Sequence, residues 1–247
     1  MALHTTYKKI GETPLQALER LRKEKSIPQD EKMTYAGRLD PMAEGLLLVL
    51  SGNDISEKSK FLSLEKEYEF VVLFGVSTDT ADTLGLIVKE GVSAHTKLSH
   101  DDFVCLEKKF TGDFEWEYPV FSSKTVRGKP LFEYARKGLA VEVPKRMMSI
   151  KKITCMDSKE CSISDIVETT LSHISSVGGD FRQTHIIEGW NTLREKNQHQ
   201  TMFCVQFRAR VSSGTYIRTL AEKMGESLGV PACALSIKRI SVGEFTI

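Results

Sequence analysis

The segment YAGRLDPMAEGLLLVLSG, residues 35–52, sets a single acid, Asp40, between a glycine-arginine turn and a run of aliphatic residues. A carboxylate beside the start of a strand ordinarily caps a turn. Here Gly37 permits a backbone conformation that other residues resist, Pro41 restricts the residue before it, and the aliphatics anchor the segment by burial. Together they would hold a carboxylate rigidly at the rim of a core, the placement that a nucleophile or a base requires. A second pair of acids, Asp79 and Asp82 in TDTADTLG, suits Asx turns and is read as turn caps. The five cysteines (Cys105, Cys155, Cys161, Cys204 and Cys233) contain no C-x-x-C pair, and no histidine stands at zinc-ligand spacing. They read as reduced thiols, and neither a metal cluster nor a glycine-rich phosphate loop is expected.

Charge adds a second strand of chemistry. The net charge of +1 argues against an unspecific nucleic-acid coat, so distribution matters more than the sum. Between Ser122 and Lys152 nine Lys or Arg residues face two acids, Glu133 and Glu142. A charge run is usually a solvated face. This one is interleaved with Phe132 and Tyr134 and preceded by Phe121, the mixture suited to tracking a phosphate backbone and stacking bases of RNA or DNA.

The elements that must position these groups emerge from local patterns. Thr13 and Pro14 open a helix over residues 14–25, with Leu15, Leu18 and Leu21 at three-residue spacing. EGLLLVLSGN is a short buried strand. KEYEFVVLF alternates Tyr68, Phe70 and Val72 on one side and runs into the capped turn that holds Asp79 and Asp82. SHDDFVCLEKKFTG predicts a helix with acids in its first turn and Gly112 at its end, and PLFEYARKG repeats the scheme. FCVQFRARV alternates as a half-buried strand, with Cys204, Gln206, Arg208 and Arg210 on its outer side. GTYIRTLAEKMGESLG puts Ile217, Leu220, Ala221, Met224 and Leu228 on one helix face, closed by Gly229. Strands and helices are interspersed without a regular βαβ rhythm, which predicts an α+β fold. Residues 157–201 differ in character, with seven acids against four Lys or Arg and three of the six histidines. They are read as a helical insertion between two strands of the main sheet, within a single domain spanning residues 1–247.

GRLDPMAEGLLLVL resembles the signature of the TruB family of tRNA pseudouridine synthases. KEYEF, TDTADTLG, YPVFSSKTVRGKPLFEYARKG and SSGTYIRTLAEKMGESLG resemble further motifs of that family, in the expected order. The resemblance implies the pseudouridine synthase fold, a mixed, mainly antiparallel central sheet flanked by helices. It also implies isomerisation of a uridine in the T loop of tRNA, without metal or organic cofactor. Asp40 matches the family's aspartate, as nucleophile or as base. Tyr68 matches the tyrosine whose ring packs on the flipped uracil, and Arg218 the arginine that pairs with the aspartate. Tyr216 and Ile237 match positions lining the uracil pocket, with Ile237 in place of the more usual leucine. Lys8, Lys124, Arg127 and Lys129 are the basic positions assigned to phosphates.

The sequence also departs from the family. Tyr35 stands where a histidine is common, and an aromatic there can still stack or wedge in the RNA loop. Lys9 replaces a proline in KKIGETP, and the chain ends soon after SIKRISVGEFTI, without the small C-terminal RNA-binding domain of many relatives. The resemblance leaves two alternatives: a ribosomal RNA synthase sharing Gly-Arg-Leu-Asp, and a tRNA-folding chaperone in which catalysis is dispensable. Neither a leader segment nor a membrane span is evident, so a cytoplasmic protein is expected. It is expected to be a monomer, and the resemblance implies the T arm of tRNA as its partner.

Overall fold

A computed structural model describes residues 2–91 and 98–247. The chain opens with β1 (Ala2–Lys8), α1 (Pro14–Glu24), β2 (Met33–Ala36) and β3 (Ala43–Ser51), followed by α2 (Lys58–Ser63) and β4 (Lys66–Phe74). The start of α1 is fixed by a capping box: the Thr13 hydroxyl accepts from the Gln16 N–H at 3.2 Å, and the Gln16 side chain accepts from the Thr13 N–H at 2.7 Å. Ala17, Leu18 and Leu21 then bury themselves on Leu47 and Val49 of β3. Leu46, Leu48 and Leu50, on the opposite face of β3, pack with Ala36 and Val242. Burial on both faces explains why this strand reads as an unbroken aliphatic run.

A short antiparallel pair, β5 (Val76–Thr78) and β6 (Ile87–Glu90), brackets the turn that carries Asp79 and Asp82. Beyond it lie α3 (His100–Lys109), β7 (Gly112–Glu117), the small hairpin β8 (Thr125–Val126) and β9 (Lys129–Pro130), and α4 (Leu131–Arg136). The sequence places Gly112 at the end of α3, but the cap is Phe110, and Gly112 opens β7 with a φ of +130°. The buried Phe110 ring, 6.1 Å from Phe114 and 6.3 Å from Trp116, sets the helix end.

The long strand β10 (Lys145–Ser162) leads into α5 (Ile163–Ser176) and α6 (Gln183–Lys196), and the chain returns along β11 (Thr201–Val211). Residues 157–162 are strand, not helix: they pair antiparallel with 201–206, and the helices of the acidic segment begin at Ile163. The chain closes with α7 (Ile217–Leu228), β12 (Ala232–Val242) and β13 (Phe245–Thr246).

The main sheet has the order β1-β3-β12-β4-β11-β10-β7, with β2 on β3 and β13 on β12. All its pairings are antiparallel except β12 with β3, so the sheet is mixed and the class is α+β as expected. One face of the centre, with Phe70, Val72, Phe207 and Ala209, packs on Leu220, Ala221 and Met224 of α7 and on Phe103 and Leu106 of α3. The other face, with Leu73, Met202, Cys204 and Cys233, is covered by Ile166, Val167 and Ile174 of α5 and Ile186, Trp190 and Leu193 of α6. The half-buried alternation of β11 holds from Val205 to Val211, with Arg208 and Arg210 exposed, whereas at its start that cover buries the Cys204 thiol under the helical pair.

Candidate active site

Asp40 lies on the loop between β2 and β3, and the backbone of that loop is held almost carbonyl by carbonyl. Arg239 of β12, which is buried, donates from Nε to the Leu46 carbonyl at 2.8 Å and from Nη2 to the Gly37 carbonyl at 3.1 Å. Lys8 at the end of β1 donates from Nζ to the carbonyls of Ala43 at 2.5 Å, Lys9 at 3.0 Å and Pro41 at 3.3 Å. The Pro41 carbonyl also accepts from the Gly11 N–H at 2.9 Å, and the Asp40 carbonyl from the Ala43 N–H at 3.0 Å. Buried carbonyls need partners, and two buried cations from distant strands supply them. The rigidity expected of Asp40 is therefore built from the backbone of its loop.

This arrangement corrects one assignment. Lys8 is expected, as a basic residue at the end of a loop, to meet phosphate, but it is fully buried, and its ammonium is spent on backbone carbonyls. Burial pulls its pKa down to about 8, against the upward pull of Asp40. Lys66 resembles it, with Nζ donating to the carbonyls of Leu62 and Leu64 at 2.7 and 2.6 Å and a pKa likewise lowered by burial to about 8.

The Asp40 carboxylate, one third exposed, accepts from Nε of Arg218 at 2.7 Å, and the Arg218 side chain is only 3 % exposed. Arg218 sits in the first turn of α7 and reaches across the cavity floor to two backbone carbonyls as well, Thr80 from Nη1 at 2.5 Å and Phe121 from Nη2 at 3.2 Å. Burial would lower the arginine's pKa, and Asp40 and Asp82 more than reverse this, so the guanidinium stays charged. Asp82 does cap its turn, accepting from the Leu84 N–H at 3.0 Å and the Thr80 hydroxyl at 2.7 Å. Its other oxygen lies 3.6 Å from Arg218 Nε. Asp82 is therefore a second carboxylate on the same arginine, with a pKa raised by burial and only partly restored by Arg218.

These groups open onto a cavity of about 1050 Å³, at the upper end of the usual range for ligand sites. Tyr68 enters it from β4, opposite Ala209 and Arg239 in the sheet, and Ile237 from β12, opposite Phe70 and Ala43. Tyr216, the residue before α7, meets Tyr118 edge-on at 6.1 Å and lies 5.8 Å from the Arg218 guanidinium. Burial, followed by the nearby Asp40 charge, raises its phenol pKa. Tyr35 lies at the rim, where its hydroxyl accepts from Arg38 at 3.0 Å. Among the basic positions, Lys124 lines the cavity with its ammonium 5.2 Å from the Tyr118 ring. Arg127, in the turn between β8 and β9, and Lys129, the first residue of β9, are exposed and do not line it.

Asp40, Tyr68, Arg218, Tyr35, Lys124, Tyr216 and Ile237 are thus brought together on one cavity, whereas Lys8, Arg127 and Lys129 are not. The residues that sequence reasoning missed are Arg38, Arg146, Arg239, Phe181 and Arg182. Arg38 stands inside the Asp40 motif and bonds the Ser123 hydroxyl across the cavity mouth, so its position was a usable signal. Arg146 donates to the Ser213 carbonyl at 2.8 Å and packs so closely on Gly214 that a Cβ there would collide with the guanidinium. Arg182, from the acidic segment, carried no signal at all. Among the described residues no cluster of His, Cys, Asp and Glu is arranged to hold a metal ion, and no helix is long and apolar enough to cross a membrane.

Comparison with known proteins identifies relatives along nearly the whole chain. The chain is similar to tRNA pseudouridine synthase B of Staphylococcus aureus (strain MSSA476), 33 % identical over 244 residues that cover 98 % of this chain and 66 % of the relative. The synthase of the same name from Cupriavidus metallidurans is 31 % identical over 90 % of this chain and 57 % of its own length. The chain thus spans less than two thirds of these curated relatives. In fold it is similar to a chain in the crystal structure of a Cbf5-Nop10-Gar1 complex, with a TM-score of 0.59 and 19 % identity over 99 % of this chain and 49 % of that one. The family model for TruB family pseudouridylate synthase (N terminal domain) matches residues 25–173, more than half of the chain. On that match, with the fold and the motifs in agreement, the chain belongs to the TruB family of pseudouridylate synthases.

Proposed function

We propose that this protein isomerises a uridine in the T loop of tRNA to pseudouridine, with Asp40 as the group that acts on the ribose. The observation that carries this reading is the buried Arg218 paired at 2.7 Å with a carboxylate that itself faces an open cavity walled by aromatic rings. A charged pair is costly to bury, and it persists here because the Thr80 and Phe121 carbonyls accept two further guanidinium protons and Asp82 adds a second carboxylate. One face of Asp40 is thereby left free for a substrate.

The reaction breaks an N-glycosidic bond, turns the uracil, and forms a C–C bond at the same ribose. A uridine inside a folded loop must first leave its stack, at a cost of about a few kcal/mol. The Tyr68 ring, held in the sheet, offers a face on which the extruded base packs, with Tyr216 and Ile237 closing the pocket. Arg218 orients Asp40 and opposes its charge whether the carboxylate attacks the sugar or takes a proton from it. Lys124 and Arg38 stand at the rim, where phosphates would pass.

The test is to incubate the protein with an unmodified tRNA transcript and map pseudouridine chemically, for the wild type and for Asp40→Asn. Product at one T-loop uridine is expected from the wild type and none from the variant, with RNA affinity nearly equal. Product from the variant would remove Asp40 from its role. Binding without product from the wild type would mean that the protein assists tRNA folding without modifying it.

A further inference from the structure

The helical pair α5–α6, which the proposed chemistry does not use, reaches the cavity through its connecting loop. Asp180, Phe181 and Arg182 line the same space as Asp40 and Arg218. The Arg182 guanidinium forks onto Asp79, Nη1 to Oδ2 at 2.6 Å and Nη2 to Oδ1 at 3.2 Å, and lies 4.7 Å from the Phe121 ring centre. Asp79 immediately precedes Thr80, whose carbonyl accepts from Arg218, and the Phe121 carbonyl is the other backbone acceptor of Arg218. One arginine of the acidic segment therefore holds, by an ion pair on one side and a stacked ring on the other, both backbone supports of the buried arginine.

Besides covering the sheet, the helical pair makes further contacts with the same turn. Trp190 Nε1 donates to the Thr83 carbonyl at 3.2 Å, and Leu84 and Met42 belong to the apolar cluster formed by α5 and α6. The loop is pinned from outside by Arg136, which donates to the Asp180 carbonyl at 2.9 Å and whose guanidinium lies 5.7 Å from the Phe181 ring centre. At its other end, Gly11 approaches Ser176 so closely that a Cβ would collide with the hydroxyl oxygen. Arg182 itself adopts a left-handed backbone, φ +65°, which is costly for a residue with a side chain and is maintained only when the surroundings over-determine it.

We infer that Arg182 is a positioning residue for the Asp40–Arg218 pair, and that the helical pair is in this sense part of the catalytic apparatus. The inference rests on the proposed function for its catalytic consequence, but its structural core is independent of it. Charge alone gives Arg182 little to do for RNA, since Asp79 already neutralises it. Its forked geometry and its stack on Phe121 are features that lysine reproduces only in part.

The experiment uses the full chain with Arg182→Ala, Arg182→Lys, Asp79→Asn and the double variant Arg182→Ala/Asp79→Asn. Single-turnover pseudouridine formation on bound tRNA transcript is expected to slow by about 10- to 100-fold in Arg182→Ala, while the dissociation constant changes less than about threefold. Arg182→Lys should fall between that variant and the wild type. The double variant should be no slower than the slower single one, because both break one interaction. In the free protein, solvent exchange of the Arg218 guanidinium protons, read by 15N NMR, should accelerate in Arg182→Ala by about tenfold or more. If Arg182→Ala does not fold, Arg182→Lys and Asp79→Asn carry both measurements. An unchanged rate with unchanged exchange, or a loss confined to RNA affinity, would overturn the inference. A wild type that makes no pseudouridine would sink the functional reading alone, because the exchange measurement on free protein still decides whether Arg182 holds Arg218: acceleration supports it, and no change overturns it.

Discussion

Two sets of positive charges surround the cavity, and they are built in opposite ways. Lys8, Lys66, Arg218 and Arg239 are buried and donate to backbone carbonyls, and among the described residues only Arg218 of the four adds ion pairs with carboxylates. Arg38, Lys124, Arg127 and Lys129 are exposed and their side chains have few partners among the described residues: Ser123 and Tyr35 for Arg38, and the Tyr118 ring for Lys124. The buried set fixes loops at the expense of availability, and the exposed set remains available to an anion at the expense of order. A basic residue close to an active site in sequence can belong to either set, and only burial distinguishes them.

The strongest attempt to break this division is Arg218→Met. Removing it leaves Asp82 buried without its counter-charge, and a loss of about 3–5 kcal/mol is expected in urea unfolding, together with all activity. Lys8→Met comes next. Its carbonyl partners on the Asp40 loop would lose their donor at an expected cost of about 1–3 kcal/mol, with RNA affinity less affected than turnover.

A pH series sharpens the same contrast. The folded-state pKa values of Lys8 and Lys66, about 8, lie below the ordinary 10.5, so between those values the unfolded chain binds more protons than the folded one. These lysines therefore make stability rise with pH from about 8 towards 10. Lys66→Met should flatten that rise relative to the wild type. An identical pH profile in the two proteins would remove Lys66 from the buried set.

The smallest effects are expected in the exposed set. Lys124→Ala should leave stability within about 0.5 kcal/mol of the wild type. It should weaken tRNA binding several-fold and reduce the magnitude of the salt slope by about one. Arg127→Ala, farther from the cavity, should change affinity least. A large loss of stability from either substitution would mean that the exposed residues are structural after all.

Much of this fold was legible in local patterns. The capping box at Thr13, the aliphatic run of β3 and the alternation of β4 and β11 all set their elements without help from distant residues. Tertiary choices were less visible. Gly112 invites a helix end, but burial of Phe110 ends the helix earlier. Cys204 alternates with the exposed Arg208 and Arg210, because nothing in β11 announces that α5 and α6 will cover the start of its outer face. The site divides in the same way. Asp40 and Arg218 are marked by their neighbours in sequence, whereas Lys8 has the composition of a phosphate ligand and differs from one only through burial. Arg182 was out of reach, because its partner Asp79 lies in another part of the chain.

The place of β12 in the sheet has a consequence for biosynthesis. This penultimate strand, not an earlier one, joins β3 to β4, so the sheet of a nascent chain remains in two unconnected halves until residues 232–242 have left the ribosome. Asp40 belongs to one half and Tyr68 to the other. Vectorial synthesis therefore cannot assemble the pocket early, and a ribosome stalled before residue 232 should display a chain that leaves strand edges open to aggregation.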